Sequence, residues 1–242
     1  MHYRLVVEYD GTALHGWQIQ PDARTVQGEL EAAVARVFGA PTRVAAAGRT
    51  DAGVHATGQV ACFHAPRVLA PDVVCRALNA HTGEDLNVCA ADVVDDAFDP
   101  RRHARSRRYV YRLWTRRTPS PFWRRYAWHV PMPLDAAAMA RAAAQLVGEH
   151  DFTSFRAAGC DAAHPVRRVL RSMLEVDGSL VRYEIEATAF LRHMVRNVVG
   201  TLVEVGLGRR ADDLSPLLAA RDRAQAAATA PAGGLCLVEV RY

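Results

Sequence analysis

Lysine is absent from this chain of 242 residues, and all thirty of its basic residues are arginine. The simplest cause of that bias is the base composition of the coding DNA, so the missing lysine identifies no function. Long apolar runs are absent too. No uncharged run approaches the roughly 20 residues that span a bilayer, and no basic-then-apolar leader begins at Met1. These absences predict a chain without a membrane anchor.

Cysteine is scarce, and its spacing does not suit metal binding. The five cysteines are odd in number and are never spaced Cys-x-x-Cys, which argues against a zinc site and against a disulfide framework. Disulfides are typical of secreted proteins, whereas cytosolic thiols stay reduced. The cysteine pattern therefore predicts a protein of the cytoplasm.

Acidic residues are missing from one block, 101–125, which contains ten arginines and reads RRHARSRRYVYRLWTRRTPSPFWRR. Aromatic side chains alternate with the arginines there, among them Tyr109, Tyr111, Trp114 and Trp123. Guanidinium groups bind phosphates and aromatic rings stack on bases, so the block favours nucleic-acid binding. A solvated strand face and a dimer surface remain alternatives.

Half of the residues are hydrophobic and 23% are charged, which is typical of a globular chain. Its length allows one large domain or two smaller ones. In the first half, alternation and capping residues predict the order β-α-β-β-α-β. The predicted strands are 3–9, 42–47, 59–64 and 86–94, and the predicted helices are 26–38 and 71–81.

The second half repeats that order. Strands are predicted at 106–115, 169–176, 180–189 and 235–242, and helices at 134–147 and 191–205. The fold class expected is α+β, with two ferredoxin-like or RRM-like halves, mostly antiparallel sheets and a cleft between them. We expect the domains to be 1–105 and 106–242. Such topologies host many unrelated functions, so the fold alone identifies none.

One carboxylate, Asp51, lies in a glycine-flanked loop within AAAGRTDAGVHATGQV. The glycines at 48 and 53 permit a sharp turn and close approach of another molecule. Arg49 and His55 supply positive charge that favours the ionised carboxylate. An aspartate in such a turn can simply bond its own backbone. The isolated, arginine-flanked carboxylate instead suits a nucleophile or an electrostatic stabiliser, and His55 is expected to make a structural hydrogen bond.

A second candidate, Arg196, lies in FLRHMVRNVVGTLVEVG, a predicted helix that is apolar nearly all round and therefore buried. A buried guanidinium needs a partner. Glu186, Glu204 or loop carbonyls could supply it. A sharper hypothesis is that Arg196 pairs with Asp51 from the other half of the chain.

A third candidate is Tyr109, which a strand would place on the same side as Tyr111. Either ring could be a core residue or a surface on which a base stacks.

No second acid accompanies Asp51, whereas metal-dependent phosphoryl chemistry and paired-carboxylate glycosidases need clustered carboxylates. The sequence therefore predicts no metal site.

The loop GRTDAGVHATGQV resembles the signature of the tRNA pseudouridine synthase A family. Other blocks resemble that family in the expected order along nearly the whole chain: EYDGTALHGWQIQ, RRYVYRLW, GEHDFTSFRAAG, FLRHMVRNVVGTLVEVG and AAATAPAGGLCLVEV. The resemblance implies an isomerase that converts uridine to pseudouridine at positions 38, 39 and 40 of the tRNA anticodon stem-loop. It also implies a homodimer that uses no cofactor and no metal.

Matched position by position, the resemblance makes Asp51 the catalytic carboxylate, with Arg49 beside it and Arg196 as its partner. Tyr109 would stack on the target uracil, and Leu235 would line the uracil pocket. Asp51 could attack the anomeric carbon of the sugar or C6 of the base, or take a ribose proton, and the sequence leaves all three routes open.

Two residues depart from the family pattern: Cys236 stands where an aromatic is often found, and Arg192 where many members have histidine. Neither replaces a matched site residue.

Two rival functions can be told apart from a pseudouridine synthase by experiment. A non-catalytic RNA-binding module would bind tRNA without isomerising it, and a metal-dependent nuclease would lose its activity to a chelator.

Overall fold

The computed structural model describes every residue from Met1 to Tyr242. Its contacts divide the chain into two compact units. Met1–Arg105 and Cys236–Tyr242 form the first unit, and Ser106–Leu235 forms the second. The expected α+β class is confirmed, with sheets that are mostly antiparallel. None of the helices combines the length and apolarity that crossing a membrane requires.

The first unit has the predicted order β-α-β-β-α-β. Its elements are β1 (His2–Tyr9), α1 (Val26–Phe38), β2 (Ala45–Ala46), β3 (His55–His64), α2 (Pro71–Asn79) and β4 (Leu86–Val94). Strand β1 lies between β4 and β3 and is antiparallel to both, and β2 pairs with β3. Strand β3 begins at residue 55 instead of 59, so the Asp51 loop is shorter than the sequence predicts.

Helix α1 forms where its sequence signals place it. Thr25 is the N-cap and accepts a hydrogen bond from the Gly28 amide at 3.2 Å, while Gly39 ends the helix in the left-handed region at φ 78°. The side chains that α1 buries recur at helical spacing: Val26, Leu30, Ala33, Val34 and Phe38. This apolar stripe fixes the helix on the sheet.

The second unit contains β5 (Ser106–Trp114), β6 (Trp128–His129), α3 (Ala136–Ala144), β7 (Gly148–Asp151), β8 (Val166–Asp177), β9 (Leu180–Ala187), α4 (Met194–Gly206) and α5 (Ser215–Ala220). Strands β5, β9, β8 and β7 follow one another in an antiparallel sheet, and β6 pairs with β5 in parallel. Helix α3 packs against α4 and β8. The hairpin around Asp177-Gly178 is confirmed, whereas β6 and β7 were not predicted.

The last strand, β10 (Leu235–Arg241), corrects one expectation about the second half. Its pairing with β3 is parallel, with Cys236 opposite His55 and Leu237 opposite Ala56. From residue 236 onward the chain therefore belongs to the first unit, although the sequence assigns it to the second. This long-range pairing also explains why β3 begins as early as it does.

Candidate active site

The Asp51 loop joins β2 to β3 and is anchored through Thr50. The Thr50 hydroxyl lies 2.8 Å from the Tyr9 hydroxyl, in a buried hydrogen bond. The Thr50 carbonyl accepts the Trp17 amide at 3.0 Å. The residue immediately before the candidate carboxylate is thus tied to β1 by its side chain and to a neighbouring loop by its backbone.

That neighbouring loop, residues 10–17, lies directly against the Asp51 loop. Gly16 has φ +84°, and a Cβ built there would lie 2.7 Å from the Thr50 carbonyl oxygen. Gly53, also left-handed at φ 78°, donates its amide to the Leu14 carbonyl at 3.2 Å. Glycine is required at position 16 both for its backbone angle and for the close approach.

The side chain of Asp51 is half-buried, and that of Arg49 is exposed. The Asp51 carbonyl accepts the Val54 amide at 3.1 Å, which closes the turn, and Gln59 donates to the Gly48 carbonyl at 2.8 Å. The backbone on both sides of Asp51 is therefore held by hydrogen bonds. A carboxylate on such a loop is aimed in one direction, as a nucleophile or an electrostatic stabiliser requires.

His55 is buried and belongs to the loop framework. Its Nδ1 accepts the Gly11 amide at 3.0 Å, and Asp10 Oδ1 lies 3.1 Å from the same atom. The structural hydrogen bond expected for His55 is therefore present. Burial also raises the pKa of Tyr9 to about 12, so the phenol that binds Thr50 stays protonated at neutral pH.

In the second unit, Arg196 lies in the first turn of α4. That helix is buried along nearly its whole length, as its apolar sequence predicts. Arg196 Nε donates to the Ala230 carbonyl at 2.8 Å, and the Ala230 amide donates to the Arg196 carbonyl at 3.1 Å. Of the partners that the sequence allows for the Arg196 guanidinium, a loop carbonyl is therefore confirmed. Of the two nearby glutamates, Glu186 accepts a hydrogen bond from the Ser106 hydroxyl at 2.6 Å, and Glu204 accepts one from Arg209 at 3.2 Å.

Asn197, the next residue, holds the surrounding loops in place, although no sequence motif points to it. It is fully buried, and its amide nitrogen donates to the Phe155 carbonyl at 2.8 Å. Its Oδ1 accepts hydrogen bonds from Arg223 at 3.0 Å and from Thr229 at 2.6 Å. The signal was an amide inside an otherwise apolar helix, because a buried polar side chain must find partners.

Tyr109 and Tyr111 share the buried face of β5, as predicted. The Tyr111 hydroxyl donates to the Pro231 carbonyl at 2.7 Å, and a Cβ at Gly234 would lie 2.5 Å from its ring. Burial raises the pKa of Tyr111 above its usual range, and the Arg196 charge partly opposes that rise. Arg196 and Tyr111 are thus both fixed against residues 230–234.

Tyr109 itself is nearly buried, with 9% of its surface exposed, and its ring meets Phe190 edge-on at 5.1 Å. Leu235 is 6% exposed and directly follows the short helical turn Ala232–Gly234. Both candidate uracil contacts therefore lie in ordered, apolar surroundings of the second unit. Of the two residues that depart from the family pattern, Cys236 is buried and Arg192 contacts the loop around residue 159.

The arginine-rich block 101–125 is partly buried in strand β5 and partly exposed in the segment that follows that strand. Within it, Trp114 stacks on Trp123 with ring centroids 6.3 Å apart, and Arg116 lies over the Trp114 ring at 5.0 Å. Phe122 is 83% exposed. The segment that follows β5 therefore presents aromatic and cationic groups at the surface, whereas Arg107 within β5 is buried.

Comparisons with known proteins identify the family of the chain. A family model described as tRNA pseudouridine synthase matches residues 5–101 and 142–242. The chain is 50% identical over 241 residues to the tRNA pseudouridine synthase A of Myxococcus xanthus, covering 99% of this chain and 91% of that protein.

Two further relatives carry the same name. The protein of Paramagnetospirillum magneticum is 48% identical, covering 99% of this chain and 94% of its own length. That of Xanthobacter autotrophicus is 46% identical, covering 99% of both chains. Because the family model matches most of the chain and the relatives match it nearly end to end, this protein belongs to the tRNA pseudouridine synthase family.

Proposed function

We propose that Asp51 is the catalytic carboxylate with which this protein isomerises uridine to pseudouridine at positions 38, 39 and 40 of the tRNA anticodon stem-loop. Family membership already makes the chain an isomerase that acts on tRNA. The observation that carries the assignment to Asp51 is the anchoring of its loop, through Thr50 to Tyr9 and Trp17. Rigid framework contacts on both sides of one carboxylate are what a preorganised catalytic group needs.

The reaction moves a glycosidic bond without changing the composition of the nucleotide. The bond from ribose C1′ to uracil N1 breaks, the base turns, and C1′ bonds to C5. The proton on C5 is lost and N1 gains one, so atoms balance and no redox partner is needed. The target base must leave its stack first, which costs a few kcal/mol.

Asp51 would act in one of three ways: by attack on ribose C1′, by attack on uracil C6, or by removing a ribose proton. Each route requires the carboxylate to be ionised and correctly aimed. Arg49 and Arg196 would stabilise that charge, with Arg196 pairing directly with Asp51. The Nε of Arg196 is held by the Ala230 carbonyl, which limits the directions that its guanidinium can take.

Tyr109 would stack on the flipped uracil, and Leu235 would line the pocket. Base stacking on an aromatic ring contributes about 1–3 kcal/mol, which offsets part of the cost of flipping. The contact with Phe190 supports this role, because it holds the Tyr109 ring in one orientation.

The exposed arginines and aromatics of 101–125 would bind the tRNA backbone and unpaired bases. The stacked tryptophans and the exposed Phe122 support that role. Affinity supplied by arginine–phosphate contacts should fall steeply as salt rises. The protein would work as a homodimer in the cytoplasm without a cofactor. The resemblance supports the dimer, and the five free cysteines fit a reducing compartment.

The decisive experiment replaces Asp51 with Asn, which keeps the shape and removes the charge. Pseudouridine formation on a tRNA transcript should fall at least ~10³-fold, as it does when nucleophiles of other enzymes are removed. Near-normal activity in a folded variant would overturn the assignment. Tight tRNA binding by a wild-type protein that forms no pseudouridine would instead favour a non-catalytic RNA-binding module.

A matched variant tests the pairing of Asp51 with Arg196. Arg196→Met should reduce activity strongly, and the double variant with Asp51→Asn should lose little more than Asp51→Asn alone. Independent losses that multiply in the double variant would contradict a direct pair.

A further inference from the structure

Two histidines and an aspartate come together at one end of the sheet of the first unit. His2 begins β1 and lies opposite His64, which ends β3. The chain leaves β4 at Val94, which also lies opposite His2, and Asp96 follows two residues later. One ligand atom from each of the three side chains lies within 4.8 Å of the others.

The sheet register explains why the two imidazoles meet. Residues directly opposite each other on neighbouring strands project to the same face, with Cβ atoms about 5 Å apart. The His2 and His64 rings stack with centroids 3.9 Å apart at an interplanar angle of 16°. Because the pairing fixes both backbones, the two side chains stay neighbours, and the exposed His64 ring can turn out of the stack so that the in-plane lone pairs of both rings converge on one ion.

The surroundings of His2 determine which of its ring nitrogens donates a hydrogen bond. Its Nδ1 lies 3.1 Å from the Asp95 carbonyl oxygen, which can only accept, so Nδ1 donates there and Nε2 is the ring nitrogen left for a metal ion. The same carbonyl accepts the Phe98 amide at 2.9 Å in a turn, so its position is fixed. A backbone carbonyl on the second nitrogen of a histidine is the usual outer contact of a metal-ligating imidazole.

The other two side chains are free to move toward a metal. His64 Nδ1 lies 3.9 Å from Asp96 Oδ1, and the two side chains are 62% and 84% exposed. Ligand atoms around a tetrahedral Zn²⁺ are about 3.3 Å apart, given bond lengths near 2.0–2.1 Å. Closing the site requires rotations of exposed side chains, while the buried His2, 2% exposed, stays in place.

We propose that His2, His64 and Asp96 bind a divalent transition-metal ion, for which Zn²⁺ is the test ion. Two imidazoles and one carboxylate suit Zn²⁺ and its neighbours in the first transition series, whereas Mg²⁺ prefers oxygen ligands alone. The site ties together the ends of β1, β3 and β4. Its role is structural, since none of the three residues belongs to the Asp51 loop or to the Arg196 helix.

The test is a calorimetric Zn²⁺ titration of the untagged, chelator-treated full-length protein. We expect one saturable equivalent and a rise in melting temperature, because an ion that binds the folded state stabilises it. His64→Ala and Asp96→Asn should each weaken binding at least tenfold and abolish the rise. His81→Ala removes another exposed histidine of the same unit and should change neither.

Binding that survives in both His64→Ala and Asp96→Asn would overturn the site, as would Zn²⁺ binding no tighter than Mg²⁺ binding. Both variants alter exposed side chains, so they should fold, and circular dichroism verifies this. Pseudouridine formation should be the same with and without the chelator. A loss of activity on chelation, without loss of stability, would contradict a structural role.

Discussion

The Asp51 loop of the first unit and the Arg196 helix of the second are held in place by different forces. The loop is fixed by hydrogen bonds and by glycines that let two loop backbones touch. The helix is fixed by burial of its apolar side chains, and polar contacts to residues 223–230 are added at its first turn. The loop should therefore respond to changes in backbone shape, and the helix to lost volume or lost polar partners.

The largest effect should come from adding a methyl group where the two loops meet. Gly16→Ala places a Cβ 2.7 Å from the Thr50 carbonyl at a φ of +84°, so the backbone must shift. We expect a loss of about 3 kcal/mol in the free energy of unfolding, from left-handed strain and displacement together. Activity should fall about 100-fold if Asp51 acts as proposed, because its loop moves. Urea denaturation and a pseudouridine assay measure the two.

Gly39→Ala is the matched control for that experiment. Gly39 is also left-handed, at φ +78°, but a Cβ there has nothing within 4 Å. Its cost should be that of the strain alone, about 1 kcal/mol, with activity unchanged. Equal losses of stability and activity in the two variants would show that contact between the loops is unimportant.

A smaller effect should follow from removing the amide that organises the second unit. Asn197→Ala leaves the Phe155 carbonyl without its amide donor and frees two side chains that bind Asn197 Oδ1. Stability should fall by about 2 kcal/mol, the usual cost of unsatisfied buried groups. Asn87→Ala removes a half-buried amide whose hydrogen bond to Glu8 lies at the surface, and it should cost less than about 0.5 kcal/mol. If both variants were equally stable in thermal unfolding, the network around Asn197 would have no structural role.

Sequence patterns predict well what is local in this molecule. The order of the first unit, the caps of α1, the Asp177-Gly178 hairpin and the shared face of the β5 tyrosines all depend on near neighbours along the chain. Strands β6 and β7 escaped prediction because two and four residues are too few for a visible alternation. The pairing of β10 with β3 could not be predicted, because it joins residues that are about 180 apart in sequence.

In the candidate site, too, local features are visible in the sequence and contacts between distant residues are not. Asp51 and its glycine-flanked turn are visible in one short stretch of sequence, and so is the buried histidine beside them. The packing of residues 10–17 against that turn, and the bond from Arg196 to the Ala230 carbonyl, involve partners distant in sequence. No periodicity reports such contacts, although a glycine such as Gly16 or an amide such as Asn197 marks where one is needed.

The smallest effect expected is on the pH dependence of stability, and it comes from the buried Tyr9 hydroxyl beneath the Asp51 loop. Burial raises the pKa of Tyr9 to about 12, against about 10 in an unfolded chain. Below pH 10 both states keep the proton. Above it, the unfolded state releases the proton first, so folding stability falls as pH rises toward 12, by at most about 1.4 kcal/mol per pH unit. Tyr9→Phe should remove that share of the slope in urea unfolding between pH 9.5 and pH 11.5.

Burial also raises the pKa values of Tyr111 and Tyr183 in the second unit, so part of the alkaline slope should remain in Tyr9→Phe. The variant also loses the bond to Thr50, which should lower stability at every pH by about 1 kcal/mol. The constant loss and the changed slope are therefore separable in one series of measurements. A variant that showed the constant loss but kept the full slope would mean that Tyr9 ionises as readily in the folded protein as in the unfolded chain. The framework under the Asp51 loop would then be open to water, unlike the sealed interior around Tyr111.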